Sequence, residues 1–329
     1  MEIKNLQIVI AALLVVLTHF FGSELAGISS YFGHLGVDIF FTLSGFLMVY
    51  SQSEKKGPAK FFVGRVKRIY PAYIILSLPL LLLSMNSINP YMFLGNILLL
   101  PGFNDPKYTV VNYPAWTLVY EMIFYVLFAI SLMVSRKRTL SCLITVTVIG
   151  ISIYSFNGQY EKQGWVNLGY ILGDPLMMNF AIGCLIGLAY SAFNVKNSIN
   201  FYVFFVSFIF LIYFSLCILD NVRIIKLGIP SFMIIALAAL SKPAVGILYK
   251  SLYTIGGASY SIYLSHLYFA KYSKEFIAWA GLNSVAGYAV LLTALIISII
   301  FGVLFFKYVE SPLSLKLSRK LTNTKAVMS

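Results

Sequence analysis

Long apolar stretches alternate with short polar, mostly basic breaks from Leu6 to Tyr308, and no polar block of domain size interrupts them. A bilayer core of roughly 30 Å takes about 20 helical residues, fewer where a helix is interior. On that measure the apolar runs predict helices at positions 6–22, 35–50, 69–84, 115–133, 139–155, 175–192, 201–219, 225–240, 256–270 and 285–308. Two further runs, 91–101, closed by Pro101-Gly102, and 165–172, are too short to cross. They read as interfacial or re-entrant segments, and treating either as a span would invert the direction of everything after it. The pattern predicts an all-α, polytopic transmembrane helical bundle of about ten spans. It forms one membrane domain over 1–312, followed by a short basic tail at 313–329. The first run follows Lys4 as a secretory signal would, but Glu24-Leu25-Ala26 puts a charge where cleavage wants a small residue, so it is read as an uncleaved helix.

Charge sets the direction. With the N-terminus inside, Lys55, Lys56, Lys60, Arg65, Lys67 and Arg68 share one cytoplasmic break, and Arg136, Lys137 and Arg138 the next. Lys316, Arg319, Lys320 and Lys325 lie at the C-terminal end. The outer breaks hold Lys107, Lys162, Arg223, Lys226, Lys271 and Lys274. This bias follows the positive-inside rule and predicts two cytoplasmic termini. Composition agrees, with 60% hydrophobic and 11% charged residues and a mean hydropathy of +0.86, whereas soluble domains carry about 25% charged residues. A net charge of +13 would suit nucleic acid if it lay along one polar face, but it is divided among short loops, so membrane lipid is the expected surrounding and nucleic acid is excluded. Cys142, Cys184 and Cys217 show no ligand spacing and read as small core residues, with no metal site predicted.

Ionisable side chains at membrane depth are expensive unless they face a partner or a wet cavity, which makes His19, Asp38, Glu121 and His266 functional candidates. His19 lies about 13 residues, or roughly 20 Å, beyond the inner end of its run. Asp38 falls a few residues into a run that starts outside, and the depths of Glu121 and His266 allow a common outward-facing pocket. Tyr125 is one turn from Glu121 on the same helix face, and Ser259, Tyr263 and His266 make a polar stripe. Arg65 and Arg68, one turn apart ahead of the third run, and Glu310 past the last run suit either phosphate binding or a structural ion pair. Plainer readings stand beside these: an interhelical hydrogen bond for a lone histidine, a helix cap for Asp38, and topology for the arginines. His34, in the break before the second run, reads as a surface residue.

Six ordered stretches resemble the integral membrane acyltransferase 3 family, particularly its exopolysaccharide-modifying branch. Leu13–Phe20 is similar to the family's first-helix histidine motif, and Gly36-Val37-Asp38-Ile39-Phe40-Phe41-Thr42-Leu43-Ser44-Gly45-Phe46 to its second-helix signature. Phe62–Pro71 resembles its basic entry to the third helix, and Trp116-Thr117-Leu118 with Glu121 and Phe124-Tyr125 its W-T-L-x-x-E-x-x-F-Y segment. Ser259–His266 and Glu310-Ser311-Pro312 complete the set. One position departs. The family carries a basic residue eleven positions before the first-helix histidine, where this chain has Ile8, and Lys4, about one turn earlier, is the nearest substitute.

The resemblance implies a multi-pass protein of the inner (cytoplasmic) membrane that transfers an acyl group, commonly acetyl, from cytoplasmic acyl-CoA. It implies no tightly bound cofactor, with acyl-CoA as the donor substrate. The acceptor is a hydroxyl of a carbohydrate or lipid-linked glycan, with polysaccharide-assembly proteins as candidate partners. His19 is then the base, with Glu121 or Asp38 holding its tautomer. His266, Tyr263, Ser259, Trp116 and Tyr125 are candidates to contact substrate, and Arg65, Arg68 and Lys4 to bind the CoA phosphates. Direct transfer and an acyl-enzyme on His19 are equally compatible with the residues. Two rivals stand: a proton-coupled transporter or flippase using the same buried groups, and a family member without catalysis in polysaccharide export, the reading that Ile8 motivates.

Overall fold

The computed structural model describes residues 3–22, 28–54, 57–103, 108–160, 166–193, 199–217, 222–242 and 247–317. Glu24, Lys55, Lys56, Lys107, Lys162 and the tail from 318 onward lie outside them, as do the side chains of Lys4 and Ile8. The described residues fold into α1 (Ile3–Phe21), α2 (Ile28–Tyr50), α3 (Pro58–Leu83), α4 (Pro90–Leu98), α5 (Trp116–Val134), α6 (Arg138–Phe156), α7 (Leu168–Gly173), α8 (Met177–Ala192), α9 (Phe201–Cys217), α10 (Ile229–Leu240), α11 (Ile247–Ala280) and α12 (Ser284–Phe305). A single π-helical turn, Ile224–Gly228, leads into α10, and another, Phe306–Glu310, follows α12. The protein is all-α, and no strand occurs among the described residues.

Five helical stretches are long and apolar enough to cross a membrane: Tyr31–Tyr50, Pro58–Leu83, Tyr113–Val134, Arg138–Phe156 and Ser284–Leu317. Shorter apolar helices cover Ala11–Phe21, Leu176–Ala192, Tyr202–Cys217 and Ile224–Leu240. Outward-facing positions are greasy, as lipid contact requires. On α9, Tyr202, Val206, Phe210 and Tyr213 are exposed, while Phe204, Phe208 and Leu211 are buried against the bundle.

Three elements differ from the hydropathy reading in ways that matter for the site. α2 begins at Ile28, not 35, so Asp38 lies deep within it and His34 sits on the helix, exposed, and not in a loop. α3 starts at Pro58, a favourable first-turn residue, which places Arg65 and Arg68 on the helix and not ahead of it. α11 spans 34 residues, past both ends of the expected run 256–270, because its helical hydrogen bonds continue through stretches holding Lys250, Lys271, Lys274 and Glu275 that hydropathy reads as breaks. The two short runs are short helices, α4 and α7, and they are tied together. Gly102 donates its N–H to the Val166 carbonyl at 2.7 Å and accepts from the Leu168 N–H at 2.8 Å. Asn96 on α4 holds the loop 109–111 by accepting from the Val111 N–H at 2.8 Å and donating to the Thr109 carbonyl at 3.1 Å.

α2 is the centre of the bundle, packed against α1 on one side and α8 on the other. Its contact with α8 is backbone on backbone. A Cβ placed on Gly45 would lie 2.1 Å from the Phe180 carbonyl oxygen, and one on Gly183 would lie 2.0 Å from that of Thr42. Only glycine permits this approach, the small-residue packing by which helices associate where lipid removes the hydrophobic drive. The same interface buries an ion pair: Asp38 accepts from Arg223 at 2.5 Å and from the Asn179 amide at 2.5 Å.

Candidate active site

α1 and α11 run side by side, and each delivers one histidine to their contact. The rings of His19 and His266 lie 4.9 Å apart between centroids, inclined at 60°. His266 Nε2 is 3.3 Å from His19 Nδ1. Each imidazole is anchored through its Nδ1 to a carbonyl of its own helix, His19 to Val15 at 2.9 Å and His266 to Tyr263 at 2.7 Å. His266 is fully buried and His19 half-buried. The exposed Lys274, about two α11 turns beyond His266, donates to the His19 carbonyl at 2.8 Å, and the Tyr113 ring meets that of His19 edge to face with centroids 6.3 Å apart.

A cavity open to the outside runs from just short of this pair to the first turns of α3. Its walls are Ala11, Ala12 and Val15 of α1, one face of α2 (Gly36, Val37, Phe40, Leu43, Ser44 and Leu47), Arg65, Arg68 and Ile69 of α3, one face of α5 (Thr117, Leu118, Glu121 and Tyr125), and Ser259, Tyr260 and Tyr263 of α11. From Gly36 to Leu47 the helix rises roughly 16 Å. One end stops at Val15 and Tyr263, one turn from His19 and His266 respectively; the histidines themselves do not line it. The other end is cationic. Arg65 donates to the Ser51 hydroxyl at 3.1 Å and lies over the Tyr125 ring at 5.4 Å. Arg68 is exposed there, and neither arginine pairs with an acid among the described residues. Glu310, the acid that a structural ion pair would use, accepts from the Ser261 hydroxyl and lies within electrostatic reach of Arg68 without forming an ion pair with it.

Glu121 lines the middle of the cavity, where its Oε1 accepts from Ser44 at 3.0 Å and from Tyr125. The structure therefore brings Glu121, Tyr125, Ser259, Tyr263, Arg65 and Arg68 around one space and sets His19 and His266 at its end. It does not bring Asp38 there. The expectation that an acid orients His19 is replaced: the Asp38 oxygens are taken by Arg223 and Asn179 on the α8 side, Glu121 Oε1 accepts from Ser44 of α2 and from Tyr125, and the ring partner of His19 is His266. Trp116 is buried against Phe41 and Tyr120 and does not line the cavity. Tyr263 shares its hydroxyl with Thr117 at 2.9 Å and the Pro114 carbonyl at 2.9 Å, which fixes α11 to the start of α5. Sequence reasoning missed Ser44 and Thr117, small hydroxyls with no signal beyond their place in motifs, and Arg223, read only as an outer-loop charge.

Comparison with known proteins gives two findings. The profile of the acyltransferase 3 family, described as an acyltransferase domain, matches residues 9–307. The exopolysaccharide production protein ExoZ of Rhizobium meliloti (strain 1021) is 29% identical over 180 residues, covering 51% of this chain and 54% of that protein, so the chain spans about half the length of the curated relative it matches. No solved structure matches.

Proposed function

The chain belongs to the acyltransferase 3 family, and on that premise we propose that it carries an acyl group, acetyl in the simplest case, from acyl-CoA to a hydroxyl of an exported carbohydrate. The observation that carries this reading is the cavity itself, which joins two arginines that form no ion pair among the described residues to the neighbourhood of His19. Guanidinium forks suit the diphosphate and ribose phosphate of CoA. An arm of pantetheine length, laid along the apolar walls past Glu121, brings the thioester to the histidine end.

His19 then takes the proton of the acceptor hydroxyl as its oxygen attacks the thioester carbonyl. The tetrahedral intermediate collapses with loss of the CoA thiolate, and the proton on His19 passes to that sulfur. An O–H and a C–S bond break, a C–O and an S–H bond form, and the base is regenerated. Glu121, inside the cavity and held by Ser44 and Tyr125, is placed to receive an amide N–H of the donor arm. The similarity to ExoZ directs the acceptor toward exopolysaccharide, with a lipid-linked glycan as the membrane-bound form it takes.

The charge distribution supports ten spans in the inner membrane with both termini cytoplasmic, which puts Arg65 and Arg68 where CoA is available. A reporter fused after Lys56 is expected to report cytoplasm; an external signal would reverse the donor's side of entry. Replacing Arg65 and Arg68 by glutamine is expected to raise the Kd for acetyl-CoA by about tenfold or more, each charge-assisted contact contributing roughly 1.5–3 kcal/mol. Calorimetric titration of the purified protein at low and high salt measures it, and an unchanged Kd would remove the arginines from the donor site.

The decisive test is mass analysis of surface polysaccharide from cells with and without the gene. Loss of ester groups on deletion, restored by the gene, is the expected result. Unchanged ester content would refute the transferase reading, and purified protein that binds acyl-CoA without transferring it would make this a non-catalytic member, with Ile8 as the first suspect.

A further inference from the structure

We propose that His266 is the positioning residue of His19, its bare Nε2 accepting the His19 Nδ1 proton so that the His19 Nε2 lone pair is left free to take the hydroxyl proton. This rests on the reading of His19 as the base and names the group that makes it one.

The assignment follows from which atoms can donate. A backbone carbonyl only accepts, so His266 Nδ1, 2.7 Å from the Tyr263 carbonyl, carries the hydrogen of the neutral ring. Its Nε2 is then bare. That nitrogen faces His19 Nδ1 at 3.3 Å, and His19 Nδ1 also lies 2.9 Å from the Val15 carbonyl. Both neighbours of His19 Nδ1 are acceptors, which puts the His19 hydrogen on Nδ1 and leaves Nε2 unprotonated, the form a general base needs.

Val15 alone does not do this work in the transition state. Its carbonyl lies on the helical ladder of α1 and stays neutral in effect as the reaction proceeds. When His19 takes the second proton its Nδ1–H becomes a charged donor, and the imidazole nitrogen opposite it, buried away from competing water, is the partner that gains most. His266 neither gains nor loses a proton in this scheme. Neither carboxylate is hydrogen-bonded to His19: Asp38 holds Arg223 and Asn179, and Glu121 Oε1 accepts from Ser44 and Tyr125. The plainer alternative is that the pair only fastens α1 to α11.

The two are separated by comparing His266→Phe, which keeps a ring and removes the acceptor, with His266→Gln, whose amide oxygen can occupy the Nε2 position. Ester content of the polysaccharide in the complemented deletion strain and the acetyl-CoA Kd of purified protein are read together. The expected result is a loss of transfer on the order of 10²-fold for His266→Phe, an unchanged acetyl-CoA Kd, and partial recovery in His266→Gln. Full transfer by His266→Phe, or a glutamine variant no better than the phenylalanine one, would overturn the proposal. Should His266→Phe fail to fold, nitrogen-15 NMR of the wild-type protein decides, since the chain has three histidines: a bare Nε2 and protonated Nδ1 on His19 support the assignment, and the opposite tautomer refutes it. Transfer that survives His19→Ala would instead sink the base reading itself, whereas a dead His19→Ala beside an active His266→Phe would sink only the role of His266.

Discussion

Replacing His19 by alanine is expected to cut ester transfer by about 10²–10⁴-fold, the usual contribution of a positioned general base, with normal accumulation of the protein in the membrane. The side chain is half-buried near the end of α1 and makes two polar contacts, to the Val15 carbonyl and to His266, so its removal deletes an imidazole without opening the packed core. The core contacts of this stretch come from its neighbours Val16 and Phe20, which pack against Ala258 and Ile262 of α11. His34→Ala is the matched control, because that histidine is exposed on α2 and does not line this cavity. Ester analysis of polysaccharide from cells carrying each variant, with quantification of the protein in membranes, measures both outcomes. A His19→Ala variant that transfers at the wild-type rate would leave the cavity without a base and the scheme without its first step.

The second large effect concerns stability. Asp38→Ala is expected to destabilise the protein by about 3–5 kcal/mol, the cost of removing one partner of a buried ion pair. Asp38 is fully buried, Arg223 is mostly so, and the lost carboxylate leaves the guanidinium without its counter-charge and the Asn179 amide without its acceptor. Truncating both charges in Asp38→Leu with Arg223→Leu is expected to recover much of that loss, since a well-packed apolar pair often replaces a buried ionic one at little cost. Thermal melting in detergent and elution as a monodisperse species report it. If Asp38→Ala melted like the wild-type protein yet transferred nothing, Asp38 would be a catalytic group and its pairing with Arg223 incidental.

The helices were legible because hydropathy is local. A run such as 115–133 declares itself by its own side chains, and α5 and α6 fall within a residue or two of the expected bounds. The ends were less legible wherever a helix runs on into charged residues: α11 is about twice the length of its apolar centre, and α3 begins among lysines. Residues of the site could be nominated from cost alone, since charge and imidazole at membrane depth demand a reason. Hence His19, Glu121 and His266 stood out, and so did Asp38, which has a different reason for being there.

Cost does not say which way a side chain points. Asp38 and Ser44 lie on the same helix within two turns, yet one is turned toward α8 and Arg223 and the other toward α5 and Glu121. The amino-acid order alone established a greasy helical bundle, its charge bias and a short roster of polar residues that had to be paired or used, because each of those follows from a residue and its near neighbours. Who meets whom was settled by rotation about each helix axis and by contacts between segments far apart along the chain, such as Gly45 against Phe180 and His19 against His266. A one-residue turn of α2, roughly 100° about its axis, would take Asp38 and Ser44 away from their partners while leaving the hydropathy of the helix unchanged.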